Sequence, residues 1–166
     1  MKRAVYAGSF DPVTNGHLWM IKRGIELFDE LVVAVGINPE KKYTFSLEER
    51  LATIKELLVK HPNARVASFE NKFLVRYAKE VNAQYILRGV RSSRDYEYER
   101  EMRNINADLD PDITTIVLIP PRKISEVSSS FVKGLIGPEG WEFVVQKYVP
   151  DLVFQQLRRR QNDRQR

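Results

Sequence analysis

The sequence predicts a single α/β domain in which a five-stranded parallel sheet is covered by helices on both faces. Five short and almost continuously apolar runs alternate with helical patterns along the chain, and such runs suit strands that are buried on both faces. The length of 166 residues fits one domain, at about 100–200 residues per domain. Because each strand is followed by a helix, the sheet is expected to be parallel and doubly wound, with right-handed crossovers.

The individual elements follow from the spacing of apolar residues. The apolar runs predict strands at Arg3–Ala7, Leu31–Gly36, Arg65–Phe69, Tyr85–Leu87 and Thr115–Ile119. Apolar residues at helical spacing form three sets, which are Leu18, Ile21, Ile25 and Phe28, then Leu47, Leu51, Ile54 and Leu58, then Tyr98, Met102, Ile105 and Leu109. Two helix starts carry the residues of a capping box, Ser46 with Glu49 and Ser92 with Asp95. Residues 1–157 are therefore predicted to form one Rossmann-like domain.

The basic charge of the chain is concentrated at its end. From residue 156 to residue 166, five arginines and one aspartate contribute +4 of the formal net charge of +5. Residues 158–166 contain no apolar side chain, so burial cannot offset their ordering entropy and a basic, mobile tail is expected. A weak contact between this tail and a polyanion is the alternative. The rest of the domain carries too little charge to predict a nucleic-acid partner.

Several classes of function are excluded by what the sequence lacks. The absence of cysteine excludes disulfides, thiolate nucleophiles and Cys-based zinc sites. No apolar stretch of about 18 residues and no signal-peptide pattern is found, so we expect a cytoplasmic protein without a membrane partner. The common dinucleotide, phosphate-loop, serine-hydrolase and zinc-helix motifs are also missing. The two histidines, His17 and His61, are too few for a His-rich metal site, and His61 suits a surface position near a helix end.

The segment Gly8–His17 holds the candidate functional residues. It follows the first strand, and in open parallel sheets ligands bind beyond the carboxyl ends of the strands. The Ser9 hydroxyl and the backbone amides of the following helix start suit an anion. His17 lies in the first helical turn, where the positive end of the helix dipole strengthens the field around a phosphate. From these residues alone, a turn and a capped helix with an ordinary polar histidine explains the segment equally well.

The same segment resembles a known family. The run Tyr6-x-Gly8-Ser9-Phe10-Asp11-Pro12-x-Thr14-Asn15-Gly16-His17 is similar to the opening of the nucleotidylyltransferases, with their [H/T]-x-G-H signature, and in particular of the phosphopantetheine adenylyltransferase family. The resemblance continues in four further blocks, which are Lys41-Lys42-x-x-Phe45-x-Leu47-Glu48-Glu49-Arg50, Arg88-Gly89-Val90-Arg91, Asp95-Tyr96-Glu97-Tyr98-Glu99 and Ser128-Ser129-Ser130-x-Val132-Lys133. It covers about residues 3–150, with the five blocks in the family's order.

The resemblance implies an enzyme that transfers AMP from ATP to 4′-phosphopantetheine. The products are dephospho-coenzyme A and pyrophosphate, in the penultimate step of coenzyme A biosynthesis. Since the acceptor phosphate is itself the nucleophile, the reaction requires alignment and charge stabilisation rather than a covalent enzyme intermediate. The resemblance further implies Mg²⁺ bound through the ATP phosphates, a homohexamer, and feedback inhibition by coenzyme A. It implies no nucleic-acid partner.

The resemblance also implies the roles of individual residues. His17, Lys41 and Arg88 match catalytic positions. The positions that match phosphopantetheine contacts are Ser9, Lys41, Leu74 and Arg88. The positions that match ATP contacts are Ser9, Phe10, His17, Gly89, Val90, Arg91, Glu99, Ile124, Ser125, Glu126, Val127, Ser128, Ser129 and Ser130. No protein ligand to a metal is implied. Ile124 replaces an aromatic residue found in some relatives near adenine.

Two other interpretations stay open. An enzyme of the same fold could use another acceptor, such as nicotinamide mononucleotide or a small alcohol phosphate, although Lys41, Leu74 and Arg88 argue against it. A non-catalytic nucleotide- or RNA-binding protein would bind ATP without turnover and would show a salt-sensitive affinity for RNA. Arg91 and Glu99 also have an ordinary explanation as members of surface ion pairs.

Overall fold

The five strands form one parallel sheet in a computed structural model, which describes residues 1–125 and 127–165. The strands are β1 (Arg3–Gly8), β2 (Glu30–Ile37), β3 (Ala64–Glu70), β4 (Tyr85–Gly89) and β5 (Thr114–Leu118). Their order across the sheet is β3-β2-β1-β4-β5, and all neighbouring strands are parallel. The predicted five-stranded parallel sheet is confirmed. The strand order reverses between β1 and β4, and such a switch point is where open α/β sheets bind ligands.

Helices connect the strands and cover the sheet. The connecting helices are α1 (Asn15–Leu27), α2 (Leu47–Leu57), α3 (Leu74–Glu80) and α4 (Ser93–Leu109). After β5 come α5 (Arg122–Ser125), α6 (Ser129–Gly134), α7 (Trp141–Val145) and α8 (Asp151–Gln165). None of the helices in the described ranges has the length and apolar character needed to cross a bilayer.

Alternate residues of the central strands pack against different helix layers. Val33 of β2 belongs to a buried cluster with Ile21 of α1 and Val153 of α8. Its neighbour Val32 belongs to a second cluster, with Val75 of α3. Both faces of the sheet are therefore covered, which confirms the doubly wound arrangement. It also explains why the central strands β1 and β2 read as unbroken apolar runs.

The apolar residues at helical spacing in α4 do not all face the core. Tyr98 and Ile105 are exposed, whereas the buried residues of this helix are Glu99 and Asn106. Tyr98 and Met102 instead line a cavity beside the sheet. Helical spacing identifies an apolar face, but it does not distinguish a face packed on the core from one that lines a cleft.

The two predicted capping boxes have different outcomes. The Ser46 hydroxyl accepts from the Glu49 N–H at 3.2 Å, and the Glu49 carboxylate accepts from the Ser46 N–H at 2.7 Å, so this box is complete. The Ser92 hydroxyl accepts from the Asp95 N–H, but the Asp95 carboxylate accepts from the backbone and guanidinium of Arg91. The second box is therefore half-formed, because Arg91 competes for its carboxylate.

The last helix is longer than the sequence predicts. Regular structure was expected to end near Arg158, but α8 continues to Gln165, so that expectation is wrong over residues 159–165. Part of the reason is Arg160, whose guanidinium lies 3.2 Å from the Glu49 carboxylate and 4.8 Å from the centre of the Phe45 ring. Such contacts with another part of the chain can hold the end of the helix although residues 159–165 contain no apolar side chain. The mobility of the tail stays a prediction.

Deletion of residues 161–166 is expected to leave turnover and the thermal midpoint nearly unchanged. Asn162 and Asp163 are exposed, and the deletion spares Arg160 with its contacts to Glu49 and Phe45. Steady-state kinetics and thermal unfolding measure both quantities, with Arg160→Ala as the comparison variant that removes those contacts. A several-fold rise in the KM for ATP on truncation, shrinking as salt is added, would contradict this expectation and show that the tail reaches the site.

Candidate active site

A hydrogen-bonded cap fixes His17 at the start of α1. The His17 N–H donates to the Thr14 hydroxyl at 3.3 Å, and the Thr14 N–H donates to His17 Nδ1 at 3.1 Å. Together they form a capping box, with a histidine in the place usually taken by Glu or Gln. That unusual residue is why the sequence pattern did not predict this box. The cap holds the imidazole ring against its own helix.

The cap also sets the protonation of His17. Since Nδ1 accepts the Thr14 N–H, the proton of the neutral ring lies on Nε2. Burial, together with the nearby positive charge of Arg91, lowers the pKa of the His17 imidazole to about 4. At neutral pH, His17 is therefore an uncharged hydrogen-bond donor that acts through Nε2–H.

This protonation state gives a direct spectroscopic prediction. The His17 ring is expected to stay neutral, in the Nε2–H form, from pH 8 to pH 5, and to gain a proton only as the pH approaches its pKa of about 4. Nitrogen-15 NMR of the ring measures both the tautomer and the titration. The chain has two histidines, so the His61→Gln variant leaves a single ring to observe. A midpoint near 6.5, or a proton on Nδ1, would contradict the capped geometry.

Packing and one buried arginine hold the rest of this segment. Phe10 has a positive φ of 50°, and its ring lies edge-on to the rings of His17 and Tyr6, with centroids 5.0 and 5.7 Å away. The guanidinium of the buried Arg50 donates to the Ser9 carbonyl at 2.8 Å. The Phe10 ring contacts and the Arg50 hydrogen bond thus fix the backbone between β1 and α1. A site that binds a charged ligand needs backbone of this rigidity.

Two cavities meet at the carboxyl edge of the sheet. The first cavity, of about 440 Å³, is lined by all four residues predicted to contact phosphopantetheine, which are Ser9, Lys41, Leu74 and Arg88. The second cavity, of about 500 Å³, is lined by most of the predicted ATP contacts, which are Ser9, His17, Gly89, Arg91, Glu99, Ile124, Val127, Ser128, Ser129 and Ser130. Six residues line both cavities and form a shared wall between them, which are Ala7, Gly8, Ser9, Arg88, Tyr98 and Glu99.

Some predicted ATP contacts lie away from the second cavity. Phe10 and Val90 are buried in the protein, and the Val90 N–H already donates to the Leu118 carbonyl at 2.9 Å. The Ser125 hydroxyl donates to the Arg122 carbonyl at 3.0 Å. Glu126 lies outside the described residues. The side chains of Phe10 and Val90 therefore pack in the interior and do not line the second cavity.

Arg88 and Glu99 form an ion pair within the shared wall. The Arg88 Nε–H donates to one Glu99 oxygen at 2.8 Å, Nη2 donates to the other oxygen, and Nη1 donates to the Ala7 carbonyl at 3.2 Å. Burial lowers the pKa of the Arg88 guanidinium, but the hydrogen bonds and charge of Glu99 outweigh burial, so its pKa is raised. The sequence assigned these two residues to different substrates and did not predict that they pair.

The serine-rich segment is placed against the start of α1. The Ser129 hydroxyl donates to the Pro12 carbonyl at 2.8 Å, and the Ser128 hydroxyl caps α6. A Cβ atom on Gly16 would lie 3.2 Å from the Val127 carbonyl oxygen, so a side chain here would crowd this close approach. Two of the three serine hydroxyls therefore have structural partners, while Ser130 is exposed at the second cavity.

Additional residues of α4 line the first cavity. Tyr98, Met102 and Asn106 follow one another at a spacing of four residues and all contribute to its wall. The helical spacing of Tyr98 and Met102 was visible in the sequence, but spacing alone does not indicate a cavity. The position of the helix directly after β4, at the ligand-binding edge, is the signal that favours a role in the cavity.

Comparison with known proteins agrees with this geometry. Residues 5–134 match the family model described as cytidylyltransferase-like. The chain also superimposes on the Plasmodium falciparum nicotinic acid mononucleotide adenylyltransferase complexed with NaAD, with a TM-score of 0.69 over 93% of this chain and 94% of that chain, at 16% identity. The fold, the paired cavities and the family model define the protein as a nucleotidyltransferase of Rossmann-like fold.

Closer relatives identify the family within this class. The chain is 62% identical to the phosphopantetheine adenylyltransferase of Chromobacterium violaceum, over 95% of this chain and 96% of that protein. It is 56% identical to the phosphopantetheine adenylyltransferase of Neisseria meningitidis serogroup C, over 94% of this chain and 92% of that protein. The chain belongs to the phosphopantetheine adenylyltransferase family, which confirms the resemblance found in the sequence.

Proposed function

We propose that this protein transfers the AMP group of ATP to the phosphate of 4′-phosphopantetheine, reversibly, giving dephospho-coenzyme A and pyrophosphate. This reaction is the penultimate step of coenzyme A biosynthesis. The observation that carries the proposal is the pair of cavities that share a wall at Ser9 and Arg88. Two polyanionic substrates can therefore each occupy a cavity and bring their phosphates together at the boundary.

The first cavity suits the acceptor. Leu74 and Met102 give it apolar surface for the pantetheine arm, while Lys41 and Arg88 supply positive charge for the phosphate. Three guanidinium nitrogens of Arg88 already donate to Glu99 and Ala7, and five N–H groups are available in a guanidinium. Arg88 therefore retains N–H groups for the acceptor phosphate while Glu99 fixes its orientation.

The second cavity suits the nucleotide. Arg91 lines it next to His17 and supplies charge for the polyphosphate, with Ser130 nearby. The Nε2–H of His17 is the donor for the α-phosphate, whose negative charge rises in the transition state. A neutral donor of fixed orientation stabilises that charge without first losing a proton or reorienting.

The reaction follows from this placement. An oxygen of the phosphopantetheine phosphate attacks the α-phosphorus of ATP, a new phosphorus–oxygen bond forms, and the bond to pyrophosphate breaks. The enzyme contributes alignment of two mutually repelling anions and stabilisation of the charge on the α-phosphate. No side chain forms a covalent bond in this scheme.

We infer that Mg²⁺ enters bound to the phosphate oxygens of ATP and keeps several of its waters. The donor set of the second cavity fits this arrangement, because its carboxylates Asp95 and Glu99 are already paired with Arg91 and Arg88. When bound, the ion neutralises phosphate charge and favours departure of pyrophosphate. The chain contacts the loaded nucleotide through its basic and hydroxyl side chains.

The family resemblance supports three further parts of the proposal. The enzyme acts in the cytoplasm as a homohexamer. Coenzyme A inhibits it by competing for the first cavity, since coenzyme A contains the same pantetheine arm as the acceptor. Nucleic acid is not a partner in this proposal.

An assay of acceptor choice tests the proposed function. The purified chain is supplied with ATP, Mg²⁺ and 4′-phosphopantetheine, and dephospho-coenzyme A is detected by mass spectrometry alongside released pyrophosphate. Nicotinamide mononucleotide in place of the acceptor is expected to give no adenylylated product. Preferential turnover of nicotinamide mononucleotide, or ATP binding without turnover of any acceptor, would overturn the proposal.

A further inference from the structure

Asp11 is a buried charge that the proposed reaction does not use. Its side chain is 1% exposed and has three partners. The Thr44 N–H donates to its two oxygens at 3.0 and 2.9 Å, and the Phe45 N–H donates to one oxygen at 2.8 Å. The Lys133 ammonium donates to the other oxygen at 3.0 Å. One carboxylate thus joins two segments of the chain that are distant in sequence.

The segments joined by Asp11 are those that carry the substrate contacts. Residues 38–45 end at the two backbone donors and contain Lys41, which lines the first cavity. Lys133 lies in α6, directly after the serines that line the second cavity. Asp11 itself lies two residues after Ser9, and Ser9 belongs to the shared wall. The carboxylate therefore sits behind the boundary at which the two substrates meet.

The energetics of this pair favour a geometric role over a purely stabilising one. Burial of the Asp11 carboxylate carries a desolvation cost, and the Lys133 side chain remains 34% exposed, so this half-buried ion pair contributes little net stability. What such a pair does supply is a fixed position, because the buried carboxylate must keep its hydrogen-bond donors in place. Here those donors are the backbone of the segment that carries Lys41.

We propose that the Asp11–Lys133 ion pair positions the segment 38–45, and with it Lys41, for the acceptor phosphate. The proposal rests on the function proposed above and extends it to two residues that touch neither substrate. Asp11 and Lys133 are positioning residues rather than catalytic residues. Their loss should weaken use of the acceptor more than use of ATP, because the displaced segment lines the first cavity and not the second.

A matched ion pair elsewhere in the protein provides the control. Lys79 donates to Asp110 at 2.7 Å, and Asp110 is also buried, at 4% exposure. The Asp110 carboxylate likewise accepts a backbone N–H. Asp110→Asn and Lys79→Met therefore remove the same chemistry from a pair whose members line neither cavity.

Steady-state kinetics of the full-length variants test the proposal. Asp11→Asn and Lys133→Met are expected to raise the KM for 4′-phosphopantetheine about tenfold or more, a cost of about 1.4 kcal/mol, and to lower kcat. The KM for ATP should change by less than about twofold. Lys133→Arg, which restores the charge, should return the acceptor KM to within about threefold of wild type. The two control variants should lower the thermal midpoint without moving either KM.

Three outcomes would overturn the positioning role. These are an unchanged acceptor KM in Lys133→Met, an equal rise in both KM values, or a rise in the acceptor KM in the control variants. If Asp11→Asn fails to fold, Lys133→Met and its rescue by arginine still decide the question. Wild-type turnover in the same assay separates the two proposals, because a wild type that does not use phosphopantetheine contradicts the function itself.

Discussion

Replacement of His17 by alanine is expected to lower kcat by about 10²–10³, while the KM for ATP changes far less. The magnitude is that of losing one preorganised donor to a charge that develops in the transition state. His17 is neutral and its ring is held by the Thr14 cap. In the proposed reaction, the Nε2–H therefore contributes mainly when negative charge rises on the α-phosphate, and less to binding of the ground state.

The chain supplies the control for this experiment. His61 is the other histidine and lines neither cavity, so His61→Ala should leave kcat unchanged. Rates of dephospho-coenzyme A formation at saturating substrates give kcat, and initial rates over a range of ATP give the KM. Unchanged turnover in His17→Ala would remove His17 from the mechanism. A large rise in the KM for ATP at constant kcat would make it a binding residue only.

The sheet could be predicted from the sequence because its signal is local. Val32 and Val33 are both fully buried although they face opposite sides of the sheet. Burial on both faces produces an unbroken apolar run in the central strand β2. The length of the C-terminal helix was underestimated because the contacts that accompany its last turns are not local in the sequence. Its continuation past Arg158 is accompanied by contacts of Arg160 with Glu49 of α2 and with Phe45, which precedes that helix. Such contacts leave no pattern in the helix itself.

The sequence predicted which segments form the candidate site, but not how their side chains contact one another. Residues that follow separate parallel strands must converge on one edge of the sheet, so Ser9, Lys41 and Arg88 could be grouped before their contacts were known. Their pairings could not be predicted. Glu99 was placed with the nucleotide and does line the second cavity, but its ion pair with Arg88 leaves no pattern in the sequence. The tautomer of His17 likewise depends on one backbone N–H, that of Thr14.

The paired Glu99 has a consequence for how the site tolerates its substrates. An unpaired carboxylate on the shared wall would repel both polyanions. Paired with Arg88, Glu99 instead fixes the plane of the guanidinium, while its negative charge offsets the positive charge of Arg88. Net attraction for the acceptor phosphate then depends on Lys41 together with Arg88, which both line the first cavity.

Replacement of Arg88 by alanine should therefore weaken use of the acceptor by at least as much as the loss of one hydrogen bond to a charged group. Hydrogen bonds to charged groups contribute about 1.5–3 kcal/mol, so the KM for 4′-phosphopantetheine is expected to rise about 10- to 150-fold, with a much smaller rise for ATP. The buried Glu99 carboxylate would also lose its partner and face the incoming phosphate. Adding Glu99→Gln to Arg88→Ala should relieve this repulsion and lower the acceptor KM below that of the single variant.

Arg91→Ala is the matched comparison for Arg88→Ala, because Arg91 lines only the second of the two cavities. It should raise the KM for ATP more than the KM for the acceptor, the reverse of the effect at Arg88. Pantetheine without its phosphate should not react with either variant or with the wild type, since the nucleophile is missing. Turnover of pantetheine at a comparable rate would contradict the proposed reaction. Equal changes in both KM values in Arg88→Ala would contradict the division of the cleft into an acceptor cavity and a nucleotide cavity.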